Sequence, residues 1–320
     1  MLPELQVPVV AAPMAGGPST PELVRAVSGA GGLGVLAAGY KGAEQVAAEI
    51  AAVAGVPFGV NLFVPGRPSD PAPVRAYAGE LQAEGLPVGE PRWDDDGWDD
   101  KLAVVAGVPV VTFTFGCPAP DVVRDLRAAG SAVVVTVTTP SEALRAGDVD
   151  GLLLQGAEAG AHRGSWADDE DPPLPLLDLL AACRTDVPRW AAGGLMTAAD
   201  VRRVLSAGAA AAVLGTAFLL CPEAGTSATH RAALQDPRYD ATALTRAFTG
   251  RTARGLVNGF LAAHRDAPRG YPEVHHLTRP MRQQAAASGD AERLHLWAGV
   301  GWQQCQELPA ADLVRALAPG

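Results

Sequence analysis

Titratable and hydrogen-bonding side chains that sit in glycine-rich backbone are the first candidates for chemistry, and the stretch LLLQGAEAGAHRGS, Leu152 to Ser165, has that character. A run of aliphatics breaks there into a turn carrying Gln155, Gly160 and His162. Imidazole titrates near neutrality, so His162 can take a proton from a weak carbon acid and return it without a metal. It is the only histidine placed at the end of an apolar run. His230, His264, His275, His276 and His295 all fall in the last third of the chain.

Other apolar runs end in similar segments: APMAGG with Pro13 and Met14, NLF with Asn61, FGCP with Cys117, AGGL with Gly193 and Gly194, and VLGTAF with Val213, Leu214, Gly215 and Thr216. Paired glycines let backbone N–H groups approach a phosphate closely, and Thr216 adds a hydroxyl. A phosphorylated cofactor is the natural occupant, against the plainer reading that these glycines only make tight turns. Cys117 has no base or second thiol paired with it in sequence. In EVHH, Glu273, His275 and His276, adjacent histidines on an extended chain point to opposite sides, so no metal site is expected. GAGGLGVL, Gly29 to Leu36, precedes a strand where a dinucleotide fingerprint would come after one, which excludes that reading.

The elements that must position these residues are set by eight short apolar runs: VPVVAAPM, GLGVLAA, PFGVNLF, VPVVTFTF, SAVVVTVT, GLLLQG, PRWAAGG and AAAVLGTAF. Their apolar character is continuous and not alternating, as in strands covered on both faces. Helices with readable ends separate them. Thr20 and Pro21 open one that Gly29 ends, TPSE at Thr139 to Glu142 forms a capping box, and TAADVRRVLSAG places Val201, Val204 and Leu205 on one face. Strand and helix alternation implies a parallel sheet, and eight units suit an α/β fold of the closed (β/α)8 kind, with an open doubly wound sheet as the competitor. Residues 1–222 are expected to form the barrel and 223–320 a smaller, mainly helical C-terminal region covering the substrate, its last helix packing back on the barrel. Pro65 to Asp100 reads as an irregular excursion, and its acidic run Asp94 to Asp100 as a solvated loop.

Composition narrows the partners. The 320 residues carry a formal charge of -10, with Lys41 and Lys101 the only lysines, which argues against nucleic acid or an anionic membrane. Cys117, Cys183, Cys221 and Cys305 are widely spaced and give neither a disulfide framework nor a zinc site. MLPELQVPVVAAPM lacks a basic leader and reads as a first strand, and the longest apolar run, Ala207 to Cys221, is too short to span a bilayer. A cytoplasmic enzyme able to form a homodimer is the expectation.

Taken in order, PVVAAPMAGG, GVNLF, FTFGCP, LQGAEAGAHRG, AAGGL, AVLGTAFL, TRAFTGRTARGL and LHLWAGVG resemble the nitronate monooxygenases, formerly 2-nitropropane dioxygenases, through nearly the whole chain. The resemblance implies an FMN-dependent TIM barrel that oxidises alkyl nitronates, propionate 3-nitronate among them, with O2 to a carbonyl compound and nitrite. It also implies a role for each matching residue. Pro13 and Met14 would lie beside the isoalloxazine. Asn61 and Gln155 would bond it, with Gly160 in contact. Gly193, Gly194 and Val213 to Thr216 would hold the ribityl phosphate, and His162 would be the catalytic base. In the family's GGHRG motif the second glycine is here Ala161. The same flavin barrel hosts NAD(P)H-dependent quinone reductases and enoyl-acyl-carrier-protein reductase, and a non-catalytic flavin-binding module is a third reading.

Overall fold

In the computed structural model of the chain, residues 2–168 and 173–319 are described; Met1 of the opening stretch and Gly320 of the C-terminal region lie outside them. Eight parallel strands close on themselves: β1 (Val9–Ala11), β2 (Leu33–Ala37), β3 (Phe58–Phe63), β4 (Val110–Thr114), β5 (Ala132–Val137), β6 (Gly151–Gln155), β8 (Arg189–Ala192) and β9 (Ala211–Leu214). Between β6 and β8 lies a two-residue strand outside the barrel, β7 (Ala161–His162). Closure is made by β1, where Val10 stands opposite Leu33 on one side and Val213 on the other.

The continuous apolar runs are explained by two separate cores. Val10, Leu33, Val35, Val110, Val134 and Trp190 fill the barrel interior, while Val9, Leu36, Val60, Val111, Val135 and Leu154 face outward against helices. Strand residues of both parities are therefore buried, as a doubly covered parallel sheet requires. The helices are α1 (Pro21–Gly29), α2 (Ala43–Ala52), α3 (Pro71–Ala83), α4 (Trp98–Val105), α5 (Pro120–Ala128), α6 (Pro140–Arg145), α7 (Leu176–Ala182) and α8 (Ala198–Ser206). Several are started by side chains. Thr20 Oγ1 accepts from Leu23 N at 3.0 Å, and capping boxes pair Thr139 with Glu142 and Thr197 with Asp200.

After β9 come α9 (Ala228–Gln235), β10 (Thr242–Thr245), β11 (Ala253–Leu256), α10 (Gly259–Ala263), α11 (Glu273–Ser288) and α12 (Ala310–Leu317). This region is not wholly helical. β10, β11 and β7 form an antiparallel sheet in which Ala253 stands opposite His162, so the C-terminal third grips the loop that leaves the sixth barrel strand. Helix α12 lies back on the barrel against α1 and α8, burying Leu313, Val314 and Leu317.

Three sequence expectations need correction. Pro65 to Asp100 is not irregular throughout, because Asp70 and Pro71 start α3 and its Val74, Tyr77 and Leu81 bury against the C-terminal region. EVHH is not extended either. It opens α11, and both histidines are buried. The acidic run is more than a solvated loop, since Asp96 takes the Lys101 ammonium at 2.7 Å and its other oxygen accepts from the Tyr40 N–H at 2.9 Å. Lys101 is 1 % exposed, so the pair ties a loop outside the barrel to Tyr40, a residue that lines the cavity at the strand ends. Removing one partner of a buried ion pair strands the other. Lys101→Met is therefore expected to lower unfolding free energy by about 3 kcal/mol in urea titrations, and a loss near zero would show that the pair does not anchor this loop.

Candidate active site

Parallel strands end on one rim, and the loops that leave them there surround a cavity of about 520 Å³. Pro13, Met14, Asn61, Gln155, Gly160, His162, Gly193, Gly194, Val213, Leu214, Gly215 and Thr216 all line it. The residues to which the resemblance gave a role are thus brought to one place. Cys117 is not among them; its thiol donates to the Ala146 carbonyl at 3.4 Å. Burial pushes that thiol up from its ordinary value, which makes a reactive thiolate less accessible.

The floor is made of backbone. Gly193 and Gly194 take φ of 127° and 68°, where a side chain is strained, and a Cβ at Gly194 would lie 2.8 Å from Glu158 Cβ. The N–H groups of Gly194, Gly215 and Thr216 donate to no acceptor among the described residues. Thr216 Oγ1 accepts from Gly299 N at 3.0 Å, which leaves its own proton to give. Gly160 is required for another reason: a Cβ there would meet Gly299 N at 2.4 Å. Asn61, 2 % exposed, spends its amide N–H groups on Thr112 and Thr114, leaving Oδ1 as the acceptor. Gln155 braces the neighbouring loop, with Nε2 donating to His162 O at 3.1 Å and Oε1 accepting from Gly164 N at 2.7 Å.

Over this floor stands His162. Its ring is packed by Phe115, Tyr271 and Trp297 at centroid distances of 5.7, 5.7 and 5.8 Å. Nε2 lies 2.8 Å from Thr249 Oγ1, and that hydroxyl donates to the Arg251 carbonyl. With the Thr249 proton so used, Nε2 carries the imidazole proton and Nδ1 keeps its lone pair; this tautomer is inferred from the hydrogen-bond network. Burial, then the charges of Arg251 and Arg282, push the ring down to about 3, so it is neutral at physiological pH. Arg251 is itself anchored, Nη2 donating to Ser165 O and its guanidinium 4.0 Å above the Phe115 ring.

Sequence reading missed part of this wall. Thr249 and Arg251 lie in TRAFTGRTARGL and His295 and Trp297 in LHLWAGVG, motifs that carry the family likeness without marking any single residue. Tyr40, Phe115, His275 and Arg282 also line the cavity or its wall. His275, Arg279, Arg282 and Gln283 fall within one helical stripe of α11, which the expectation of an extended chain at EVHH left unseen. Among the described residues, the one cluster with metal-ligand geometry is Glu80, Glu84 and His264. It lies away from the cavity lining, and its two ring nitrogens already face the two carboxylates at 3.2 and 3.4 Å.

A family model described as nitronate monooxygenase matches residues 2–320. The nitronate monooxygenase of Pseudomonas aeruginosa is 40 % identical over 98 % of this chain and 95 % of its own. A probable nitronate monooxygenase of Bacillus subtilis is 33 % identical over 94 % and 91 %. Among solved structures, nitroalkane oxidase from Streptomyces ansochromogenes superposes with a TM-score of 0.95 at 48 % identity, covering 98 % of this chain and 95 % of that one. FabK from Thermotoga maritima shares the fold, with a TM-score of 0.75 at 24 % identity, over 98 % of this chain and 92 % of that one.

The geometry yields two predictions. Ala161 is held at φ 60° beside His162, a conformation that costs an L-residue roughly 1–2 kcal/mol. Ala161→Gly should therefore raise the unfolding free energy by about 0.5–1 kcal/mol, the relief being partly offset by glycine's greater entropy when unfolded; a lower thermal midpoint would contradict it. The second concerns acid. Burial lowers His162, His230, His275 and His295 from the ordinary 6.5. The unfolded chain then binds more protons than the folded one just below that value, so stability falls as pH falls. Urea midpoints should drop steadily between pH 6.5 and 5, above the range of the depressed carboxylates Asp168 and Asp200. A flat profile there would refute the buried, neutral assignment.

Proposed function

The chain belongs to the nitronate monooxygenase family, and from that premise we propose that it oxidises alkyl nitronates with O2 to a carbonyl compound and nitrite, using FMN, with His162 as the base for neutral nitroalkanes. The observation that carries the reading is a single cavity lined both by a neutral imidazole and by a glycine floor whose N–H groups have no acceptor among the described residues.

The residues present fit the flavin. Gly193, Gly194, Gly215 and Thr216 offer the unpaired N–H groups and hydroxyl that a phosphate needs, at the rim position this fold uses for phosphates. Val213 and Leu214 deliver that segment, Pro13 and Met14 supply the apolar floor, and Gly160 lets the covering backbone come close. Asn61 Oδ1 would be the acceptor for a ring N–H, and the second proton of Gln155 Nε2 remains to donate. When bound, FMN supplies the electron-accepting chemistry that lets dioxygen oxidise the nitronate carbon.

The protein's own part is binding, orientation and one proton. Thr249 sets the tautomer of His162, so Nδ1 faces an incoming C–H acid with its lone pair. The carbon next to a nitro group loses its proton to Nδ1, and the charge moves to the nitro oxygens. Because the imidazolium formed is a strong acid here, the transfer depends on the new anion staying beside it in a water-poor site. Phe115, Tyr271 and Trp297 exclude water around the ring. A substrate that arrives already as nitronate needs no base, and His162 then only orients it.

His162→Asn keeps size and polarity but removes the base. The purified variant should remain yellow, lose roughly 10²- to 10⁴-fold in kcat/KM for neutral nitroalkanes, and lose far less for preformed nitronates. Unchanged turnover of the neutral substrates would overturn the base assignment. If NADH or NADPH with a quinone outpaces nitronate with O2 in the wild type, the oxidase reading itself falls.

A further inference from the structure

Helix α11 turns one face to the cavity: His275, Arg279, Arg282, Gln283 and Ala286 all line it and fall within roughly 100° of helical arc. Arg282 is the buried cation of this face, 7 % exposed. Its partners are neutral: Nε donates to Thr278 Oγ1 at 3.0 Å, and Nη2 donates to the His275 carbonyl at 2.8 Å. Among the described residues no carboxylate pairs with it, and the ionisable groups around it are Arg279, Tyr40, Tyr271 and the rings of His162, His275 and His295, with His275 Nδ1 3.2 Å from Nη2. Both phenols are held protonated by burial. The chain carries 35 acidic residues against 25 Lys and Arg, yet none of the described ones pairs with this guanidinium.

An uncompensated buried cation is costly, and it is retained where an anion completes it. A second observation points to the same ligand. His295 Nδ1, His230 Nε2 and Thr226 Oγ1 line the same cavity, are buried, and have no hydrogen-bond partner. His295 is near enough to Arg282 that, after burial, the guanidinium charge holds its ring well below the ordinary value. The wall thus holds a guanidinium and several unsatisfied polar atoms, with no negative group among them.

We propose that Arg282, together with the unpartnered ring nitrogen of His295, seats a planar oxyanion of the substrate, either the nitronate group or a carboxylate on the same molecule. This rests on the nitronate reading and assigns the residues that give it selectivity for anions. With Nε and Nη2 engaged by Thr278 and His275, the N–H groups of Nη1 remain to give the oxyanion a charge-assisted hydrogen bond.

The test uses the flavin-loaded full chain. Substrates are an alkyl nitronate with no other charge and a carboxylated nitronate of equal length, and nitrate serves as a planar-anion probe. In the wild type, nitrate should inhibit competitively with nitronate and perturb the flavin spectrum. Arg282→Gln should raise KM for nitronate by roughly tenfold or more, with kcat changed much less, and weaken nitrate inhibition by a similar factor. Arg282→Lys keeps the charge as a compact ammonium and should restore part of the loss. A KM effect on both nitronates assigns the nitronate head to Arg282, and an effect confined to the carboxylated one assigns the tail. The proposal is overturned if nitrate fails to compete in the wild type, a result that needs no variant, or if flavin-loaded Arg282→Gln keeps both KM values and the nitrate inhibition constant within about twofold. A wild type that turns over neither nitronate but still binds nitrate would instead remove the nitronate reading and leave the anion subsite standing.

Discussion

Buried positive charge shapes the catalytic end of this molecule. Arg251 and Arg282 both stand in the wall around His162, and both are pulled below their ordinary value by desolvation while remaining charged. Their field, added to burial, is what keeps His162 neutral. The same field favours negative charge on anything placed between them and the ring. One arrangement therefore does two things: it frees the imidazole to act as a base, and it lowers the energy of the anion which that base creates. The weakness of His162 as an isolated base is offset only when the conjugate anion forms within the cavity. Proton transfer is in this way coupled to substrate binding, and bulk water is a poor competitor.

Holding such a wall in place strains the backbone. Tyr40, Phe115 and Ala161 adopt φ of 68°, 75° and 60°, and all three line the cavity. Such outliers persist where the surroundings over-determine them. Tyr40 is fixed from behind by Asp96 and Lys101, and its ring stacks on His275 at 4.1 Å, which ties the outer loop to α11. Phe115 carries the Arg251 guanidinium on its face. Ala161 is locked by its pairing with Arg254 across the small sheet, while Gln155 holds the next carbonyl from below. The loop carrying His162 is thus gripped from the barrel and from the C-terminal region at once.

The barrel was legible in the sequence because doubly buried strands leave a mark that needs no context: runs such as VVVTV and GLLLQ are apolar at nearly every position. Thr20, Thr139 and Thr197 mark helix starts for an equally local reason, a hydroxyl bonding an N–H three residues on. The floor of the cavity was readable too, since Gly193, Gly194 and Gly215 come directly after strands and the barrel sends all strand ends to one rim. The wall was not. Arg282, Thr249 and His295 acquire meaning only from what they face across the cavity, and nothing within their own segments shows that no carboxylate will be near. The error at EVHH has a related origin, as the paired histidines sit at the start of a long helix whose cavity-facing stripe is polar, so its hydrophobic period is weak. Lys101 is similar: a charged side chain beside an acidic run reads as surface until the burial of its ammonium against Asp96 is seen.

The overall acidity of the chain bears on how an anionic substrate gets in. Acidic residues outnumber basic ones, so the long-range field repels such a substrate, yet at physiological ionic strength that repulsion decays over roughly 8 Å. Arg282 lies in the cavity wall and is screened from solvent by protein, so its attraction is felt only after entry. Capture is then a local event driven by exchange of water for a guanidinium and imidazole nitrogens, and not by steering from a distance. Arg279 is suited to connect the two regimes, since it lines both the main cavity and a smaller adjoining one of about 300 Å³ that also contains Lys41 and Arg92. Lys41 and Arg92 are themselves paired with Glu49 and Asp94, so the smaller cavity is mixed in charge, and the stacked rings of Tyr40 and His275 line both spaces.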